Sequence, residues 1–265
     1  MAQTSPDQLP GNLTLHVGSE DALLERADGS SQSTELVLAP VELHRRNIQR
    51  RLREARTPKD GLQFADPAAV AERILDTAGL PTTTIDRIDR LSMIRSVLSD
   101  NEVSITTPAV PSDTQTVEQI RTEIENVTGF HPERLEVLQS VADGLKAPID
   151  ADAAEILNAA TSVQRALRTR TSEAVSDVEL VRRSTREILA TQGAVWEAAF
   201  PGVKCVSLVG VSSVSAGQID LLHAVLDAVS VPVHVHLRRG TGSYLSSRVP
   251  QLFDVADPGA VVFES

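Results

Sequence analysis

The stretch LTLHVGSEDALLERA, residues 13–27, sets a Gly-Ser pair between an apolar run and a helix-forming run. A turn between a strand and a helix is where a nucleotide's phosphates can be held. That chemistry has a defined residue requirement. In GxxxxGK[ST], backbone N–H groups wrap the phosphates, a lysine reaches their outer oxygens and a hydroxyl holds magnesium. Gly18 and Ser19 supply two small residues and no lysine, and the next lysine downstream is Lys59. A helix N-terminus attracts an anion by itself, but Glu20 and Asp21 already stand in that field. Gly18-Ser19 therefore reads either as a degenerate nucleotide-site turn or as a tight strand-to-helix turn.

Other residue groups carry weaker chemistry. The turn GTGS, Gly240–Ser243, follows an apolar run beside Arg238 and Arg239, and either cradles a phosphate or simply turns the chain. Arg45, Arg46, Arg50, Arg51, Arg53 and Arg56 crowd one segment, with Glu54 its sole acid from residue 43 onward. Such a face contacts a nucleic-acid backbone or is merely solvated. His234 and His236 alternate with valines, so both point to one face of a strand. Two histidines at that spacing can ligate a metal, but no third ligand converges in the sequence, and a polar strand face at a sheet rim is the other reading. His16, His44, His131 and His223 are scattered, and no Ser-His-Asp set assembles. A PD-(D/E)XK nuclease core needs an acid two positions before a lysine. Thr57, Gly144 and Gly202 stand there instead, before Lys59, Lys146 and Lys204. The lone Cys205 lies in an apolar run, which excludes an internal disulfide and suits a buried, inert thiol. No catalytic residue, metal site or cofactor is assigned.

Composition limits the classes of function. At 265 residues the chain forms one large domain or two small ones, and 41% hydrophobic with 23% charged residues is ordinary for a globular protein. The net charge of −11 argues against a surface built as a polyanion trap. Lysine occurs only at Lys59, Lys146 and Lys204, the other basic residues being arginine. This acidic, lysine-poor, Ala/Val/Asp-rich composition resembles that of proteins from salt-loving microbes; a GC-rich genome gives a similar bias. With 3% aromatics, including one tryptophan and one tyrosine, the chain is poorly equipped to stack bases. No apolar run approaches the roughly 20 residues of a membrane span. The start, MAQTSPDQLPGN, lacks the features of a secretory signal. Residues 1–11 are expected to form a disordered lead-in, and the protein is expected in the cytoplasm without a membrane partner.

The elements that must position these groups follow an α/β rhythm. Asn12–Val17 reads as a strand and Ser19–Ala27 as a helix with Ser19 as N-cap. Glu35–Ala39 is a short buried strand ended by Pro40, and the arginine-rich helix with Leu43, Ile48 and Leu52 follows. GLQFADP gives another short strand. The next helix has Asp66 as cap, Pro67 in its first turn and Gly79 at its end. Ile85, Ile88, Leu91, Ile94 and Leu98 mark a further helix. NEVSITTPAVPSD is a boundary, after which residues 113–200 read as wholly helical. In that region Val117, Ile120, Ile124 and Val127 form one stripe, His131-Pro132 opens a helix, and 152–168 and 172–196 are two more. Beyond Pro201-Gly202, Val203–Val211 reads as a parallel strand covered on both faces. A helix (AGQIDLLHAVLDAVS), a strand (VPVHVHL) and a last short strand (AVVFES) complete the chain. The expected organisation is one parallel-sheet α/β domain (12–106 and 201–265) interrupted by an all-helical insert (107–200).

ELVLAPVELHRRNIQRRL resembles the segment after the P-loop helix of superfamily-1, UvrD/Rep-like, helicases. In that family the turn after the strand touches single-stranded DNA, which implies a contact at Ala39, Pro40 and Val41, extended here by Arg45, Arg46 and Arg50. FADPAAVAERILDTAGL and TTIDRIDRLSMIRSVLSD resemble the elements that follow. VSLVGVSSVSAGQIDLLHAVLDAVSVPVHVHL resembles the return to the sheet. The closer resemblance is to the helicase-like N-terminal half of the B subunit of AddAB-type helicase–nucleases. Those chains carry a hydrophobic strand, a Gly, small residues, a Gln and Leu-Leu, matched here by Gly210, Gln218, Leu221 and Leu222. The resemblance covers most of residues 12–255 and implies a RecA-like, P-loop-NTPase-like sheet. Departures bear on activity. The P-loop lysine is absent and Val206–Gly210 has no Asp-Glu pair for magnesium; against that family's pattern, a second helicase half and a nuclease domain are also not expected within these 265 residues.

The resemblance therefore implies a non-catalytic accessory or scaffold protein of DNA repair or recombination. Its partners would be an active DNA helicase or nuclease subunit and single-stranded DNA. Two alternatives stand beside it. One is a small Rossmann-like enzyme or phosphate-ligand binder using the GTGS turn or the carboxyl ends of the strands. The other is a structural module whose residues 113–200 dock another protein.

Overall fold

The computed structural model describes residues 9–28, 34–57, 61–100, 103, 113–144 and 153–264. The first eight residues of the expected lead-in, Lys59, Lys146 and most of the Pro/Ser/Thr-rich boundary lie outside them. Five strands form one all-parallel sheet in the order β1-β5-β4-β2-β3: β1 (Leu13–Gly18), β2 (Glu35–Leu38), β3 (Leu62–Ala65), β4 (Cys205–Val211) and β5 (Val233–Arg238). The apolar runs of β2 and β4 are buried on both faces, as strands inside a parallel sheet must be.

The crossovers between parallel strands put helices on both faces. On one face α1 (Asp21–Asp28) and α2 (Glu42–Glu54) bury Leu23, Ala27, Ile48 and Leu52 against Val37, Leu62 and Val209. The other face carries the larger core. There α3 (Pro67–Ala78), α8 (Asp177–Ala190), α9 (Ala194–Ala199), α10 (Ala216–Ala224) and α11 (Gly242–Leu252) cover Leu36, Leu38, Val206, Leu208, Val233 and Val235. The outer helices are α4 (Arg87–Ser99), α5 (Thr114–Thr128), α6 (Pro132–Asp143) and α7 (Ala153–Arg170), with two smaller cores around Val163 and Phe130. Thus α8, α9 and the C-cap residue Phe200 of α9, inside the span read as a helical insert, supply Leu180, Ile188, Trp196 and Phe200 to the core under the sheet.

Local signals explain several boundaries. The Asp66 carboxylate accepts the Ala69 N–H at 2.8 Å, Pro67 occupies the first turn and Gly79 ends α3 at φ 71°. Asp86 and Asp113 cap α4 and α5 in the same way.

The structure departs from the sequence reading in several places, among them Ile88 and Val127, read into apolar stripes but exposed. Ser19 does not cap α1; its hydroxyl donates to the Asp21 carboxylate at 2.6 Å and the helix starts at Asp21. Residues 172–196 are not one helix. Gln192 (φ 51°) and Gly193 (φ 84°) break it, and a Cβ on Gly193 would lie 2.5 Å from the Ala228 carbonyl of the π-helical turn Val225–Val229. The GTGS turn opens a helix, α11, that periodicity did not reveal. AVVFES forms no strand; Val261 and Phe263 pack on the Phe130 cluster, and the Val262 N–H bonds the Phe130 carbonyl at 3.1 Å.

Candidate functional site at the carboxyl ends of the strands

The Gly18-Ser19 turn lies at the carboxyl end of β1. Gly18 takes φ 117°, and a Cβ there would be 3.6 Å from Arg239 Nε, so the Arg239 side chain lies over the turn. Arg51 of α2 reaches across to Glu20 at 2.8 Å and Asp21 at 2.5 Å. Hydrogen bonds from Ser19 and Arg51 hold the Asp21 carboxyl below its ordinary value. The positive end of α1 is thus met by two carboxylates, themselves held by an arginine. Lys204, the sole lysine among the described residues, precedes the amino end of β4, where its N–H bonds Thr34; it stands at the opposite end of the parallel strands.

A cleft of about 540 Å³ opens at the carboxyl ends of β2, β3 and β4. β2 leads to α2 on one face, whereas β3 and β4 lead to α3 and α10 on the other. Open α/β sheets bind ligands in the crevice formed by such a reversal. Ala39, Pro40, Glu42 and Arg45 form one wall; Asp66–Ala69 and Glu72 of α3, Asp177, Val178 and Val181 of α8, and Ser215, Gly217 and Gln218 of α10 form the rest. The start of α10 is closed by a capping box between Ser215 and Gln218. Glu42, Asp66, Glu72 and Asp177 outnumber Arg45. Glu42 binds Arg45 at 2.7 Å and Arg46 at 2.9 Å, and these hydrogen bonds, Arg46 first, lower its pKa. Arg45 Nε makes no hydrogen bond among the described residues.

The cleft therefore brings together Ala39, Pro40 and Arg45. Val41, Arg46 and Arg50 stand outside its lining, on the exposed side of α2, where Arg50 lies 3.8 Å from Glu54. The arginine run is less basic than its composition suggests, because Glu42 meets Arg45 and Arg46, Glu54 meets Arg50, and Glu20 and Asp21 meet Arg51.

The residues that carried the helicase resemblance have visible structural tasks. Gly210 sits at φ 71° in an irregularity of the β4–β5 register, and a Cβ on it would be 2.5 Å from His44 Cγ. Near the end of β4 the chain thus presents a glycine pressed against a histidine ring. Gln218 completes the α10 capping box, and Leu221 and Leu222 are core residues. In the GTGS turn a Cβ on Gly242 would meet Val17 at 2.8 Å, so close packing of α11 on β1 accounts for that glycine.

The sequence reading missed a polar patch on the α1 side of the sheet. The β1–β5 register sets His16 opposite His236 and beside His234. His16 Nε2 and His234 Nδ1 are 3.0 Å apart, and the His16 and His236 rings stack at 4.4 Å with planes 8° apart. Burial lowers all three pKa values, that of His236 to about 3, with the charge of His16 adding to the effect there. Among the described residues neither nitrogen of buried His236 makes a hydrogen bond of good geometry, although the Ser19 backbone offers slight support to its protonated form. Arg26 lies nearby, bound to Glu35 at 2.8 Å and Ser207 at 3.1 Å. Cys205 adjoins this pair; burial and Glu35 push its thiol to about 12, in keeping with an inert cysteine. Only the shared in-strand parity of His16 with His234 and His236 could have signalled the cluster.

Among the described residues, no three His, Cys, Asp or Glu side chains are already disposed around a single metal position. Among them, too, no helix is long and apolar enough to cross a membrane. No curated protein matches the chain. The all-parallel α/β sheet, entered through a strand-turn-helix unit, agrees with what the family comparison shows: the chain belongs to the halobacterial UvrD-like protein family, whose model it matches over residues 1–264.

Proposed function

We propose that this helicase-related chain is a non-catalytic accessory protein of DNA repair or recombination, docking on an active helicase or nuclease subunit. The observation that carries this reading is the Gly18-Ser19 turn. Arg51-bound Glu20 and Asp21 occupy the field that phosphates would need, Arg239 covers the glycine, and no lysine is within the turn. Gly210 at the end of β4 supports it, offering no carboxylate for magnesium. The all-parallel sheet with helices on both faces supports a RecA-like origin, and the match at 1–264 supports the UvrD relation; the finer AddB-like relation rests on Gly210, Gln218, Leu221 and Leu222.

Single-stranded DNA is a secondary partner in this reading. Ala39, Pro40 and Arg45 would meet it in the cleft, with Arg46 and Arg50 along its rim. The cleft carboxylates oppose a polyanion, so protein docking supplies most of the affinity. The test is a gentle, nuclease-treated purification of the tagged protein from its host at native salt, paired with direct titration of ATP and magnesium. Recovery of a helicase or nuclease subunit and no ATP binding at millimolar concentration are expected. Micromolar ATP binding, or co-purification of metabolic enzymes alone, would overturn the reading.

The position of the cleft at a strand-order reversal favours a second reading, a binder of a small phosphate-bearing ligand. Thermal-shift measurements with nucleotides and sugar phosphates separate the two. A bound ligand raises the melting temperature in proportion to the logarithm of its excess over Kd.

A further inference from the structure

We infer that His16 and His234 form a divalent transition-metal clip joining the first and last strands of the sheet, with solvent completing the coordination. Three of the chain's six histidines meet at this one place, although His16 and His234 are 218 residues apart in sequence. Two are half-buried and open to solvent, and His236 stacks behind them. Imidazole nitrogen binds zinc at about 2.0–2.1 Å, which puts two nitrogens about 2.9 Å apart for a right-angled pair and about 3.4 Å apart for a tetrahedral one. The observed 3.0 Å between His16 Nε2 and His234 Nδ1 falls within that range. A hydrogen-bonded pair aims its nitrogens at each other, so the ion sits off the N···N line and the two rings turn slightly to meet it.

The surroundings suit the ion. The charge of nearby Arg26 is offset by its pair with Glu35. The stacked His236 ring limits how far His16 can turn away. Imidazole donors suit zinc, nickel and copper, not magnesium or calcium. Two protein ligands give modest affinity. Because the ligands lie on β1 and β5, binding stabilises the whole sheet and not a local loop. This inference is independent of any helicase or nuclease partner.

The experiment uses the full chain without a histidine tag, after EDTA treatment and dialysis, titrated with zinc chloride and separately with nickel chloride. The melting temperature is expected to rise by a few degrees at saturation, and EDTA is expected to reverse the rise. His16→Gln and His234→Gln should each abolish it; both side chains are half-buried, so the variants are expected to fold. Imidazole ¹⁵N resonances provide a second readout: zinc should move His16 Nε2 and His234 Nδ1 and leave His44 and His131 in place. No shift with either metal would overturn the clip. So would a shift that persists in the double variant, because the ion would then be bound elsewhere.

Discussion

At the residue scale, Gly210 and Glu118 show two ways in which one side chain, or its absence, constrains the fold. Gly210→Ala introduces a Cβ 2.5 Å from His44 Cγ, on a backbone at φ 71°. A left-handed alanine costs about 1–2 kcal/mol and overpacking about 1–3 kcal/mol. Urea unfolding should show a loss of about 2–5 kcal/mol. Adding His44→Ala should recover the overpacking part and leave the backbone part; full recovery would mean that the glycine's conformation costs nothing. Glu118 is different, because its worth depends on pH. Burial by itself would raise its carboxyl, but the hydrogen bond and charge of Arg121, with Arg90, hold it below its ordinary value of 4.5. Arg121 is wholly buried and is also bound by Glu125 at 3.0 Å and Gln164 at 2.7 Å. A carboxyl whose pKa is depressed on folding contributes stability that is complete above its unfolded pKa and is lost as pH falls through the folded one. Glu118→Gln should therefore cost roughly 3 kcal/mol at pH 7. The gap to the parent should narrow below pH 4.5. A gap that stays constant from pH 7 to pH 3.5 would show that Glu118 acts by packing alone.

At the element scale, the joint between the outer helices and the sheet layer rests on Asp220 of α10. Its carboxylate takes both arms of Arg134 from α6, at 3.0 and 2.5 Å, and the Gly259 N–H of the C-terminal segment at 3.2 Å. Asp220→Ala leaves Arg134 with 13% of its side chain exposed and no counter-charge at that joint, a loss of about 3–5 kcal/mol. Hydrogen exchange should then quicken in α5–α7 and the 257–264 segment more than in β2 and β4, because the outer layer loses its attachment first. Uniform quickening would mean that the joint serves the global fold only. Which elements were legible follows the same division between local and distant causes. α3 was readable because Asp66, Pro67 and Gly79 state its ends within the segment itself. β4 was readable from its nearly continuous apolar run. The break between α8 and α9 was not, because the close approach of Gly193 to Ala228 imposes it from another element. α11 hides behind a glycine-rich start, polar residues and an internal Pro250. The AVVFES segment has strand-forming residues but packs on helices instead of a strand. At the candidate site, the run from Ala39 to Arg45 was visible in the sequence. Its acidic companions from α3 and α8 and the His16–His234 pair come together only through the fold.

At the scale of the whole molecule, the net charge of −11 competes with an extensive set of arginine–carboxylate pairs, and salt acts on both in opposite directions. Exposed pairs such as Arg46–Glu42 and Arg50–Glu54 contribute little, and salt weakens them. Buried pairs such as Arg121–Glu125 and Arg134–Asp220 are reached little by screening. The repulsion among excess carboxylates spans the entire surface. It is therefore the contribution that changes most when the Debye length shrinks from about 10 Å at 0.1 M salt to about 3 Å at 1 M. The cleft concentrates this effect, with Glu42, Asp66, Glu72 and Asp177 around one cavity. The melting temperature is accordingly expected to rise between 0.1 and 1 M KCl. An equal osmolality of a neutral solute should not reproduce the whole rise, since it leaves the charges unscreened. Neutralising cleft acids as Glu72→Gln with Asp177→Asn should reduce the salt response, because part of the repulsion is then gone before salt is added. A melting temperature that falls with KCl would mean instead that the surface arginine pairs dominate, and that the acidic composition is held in balance by them at low salt.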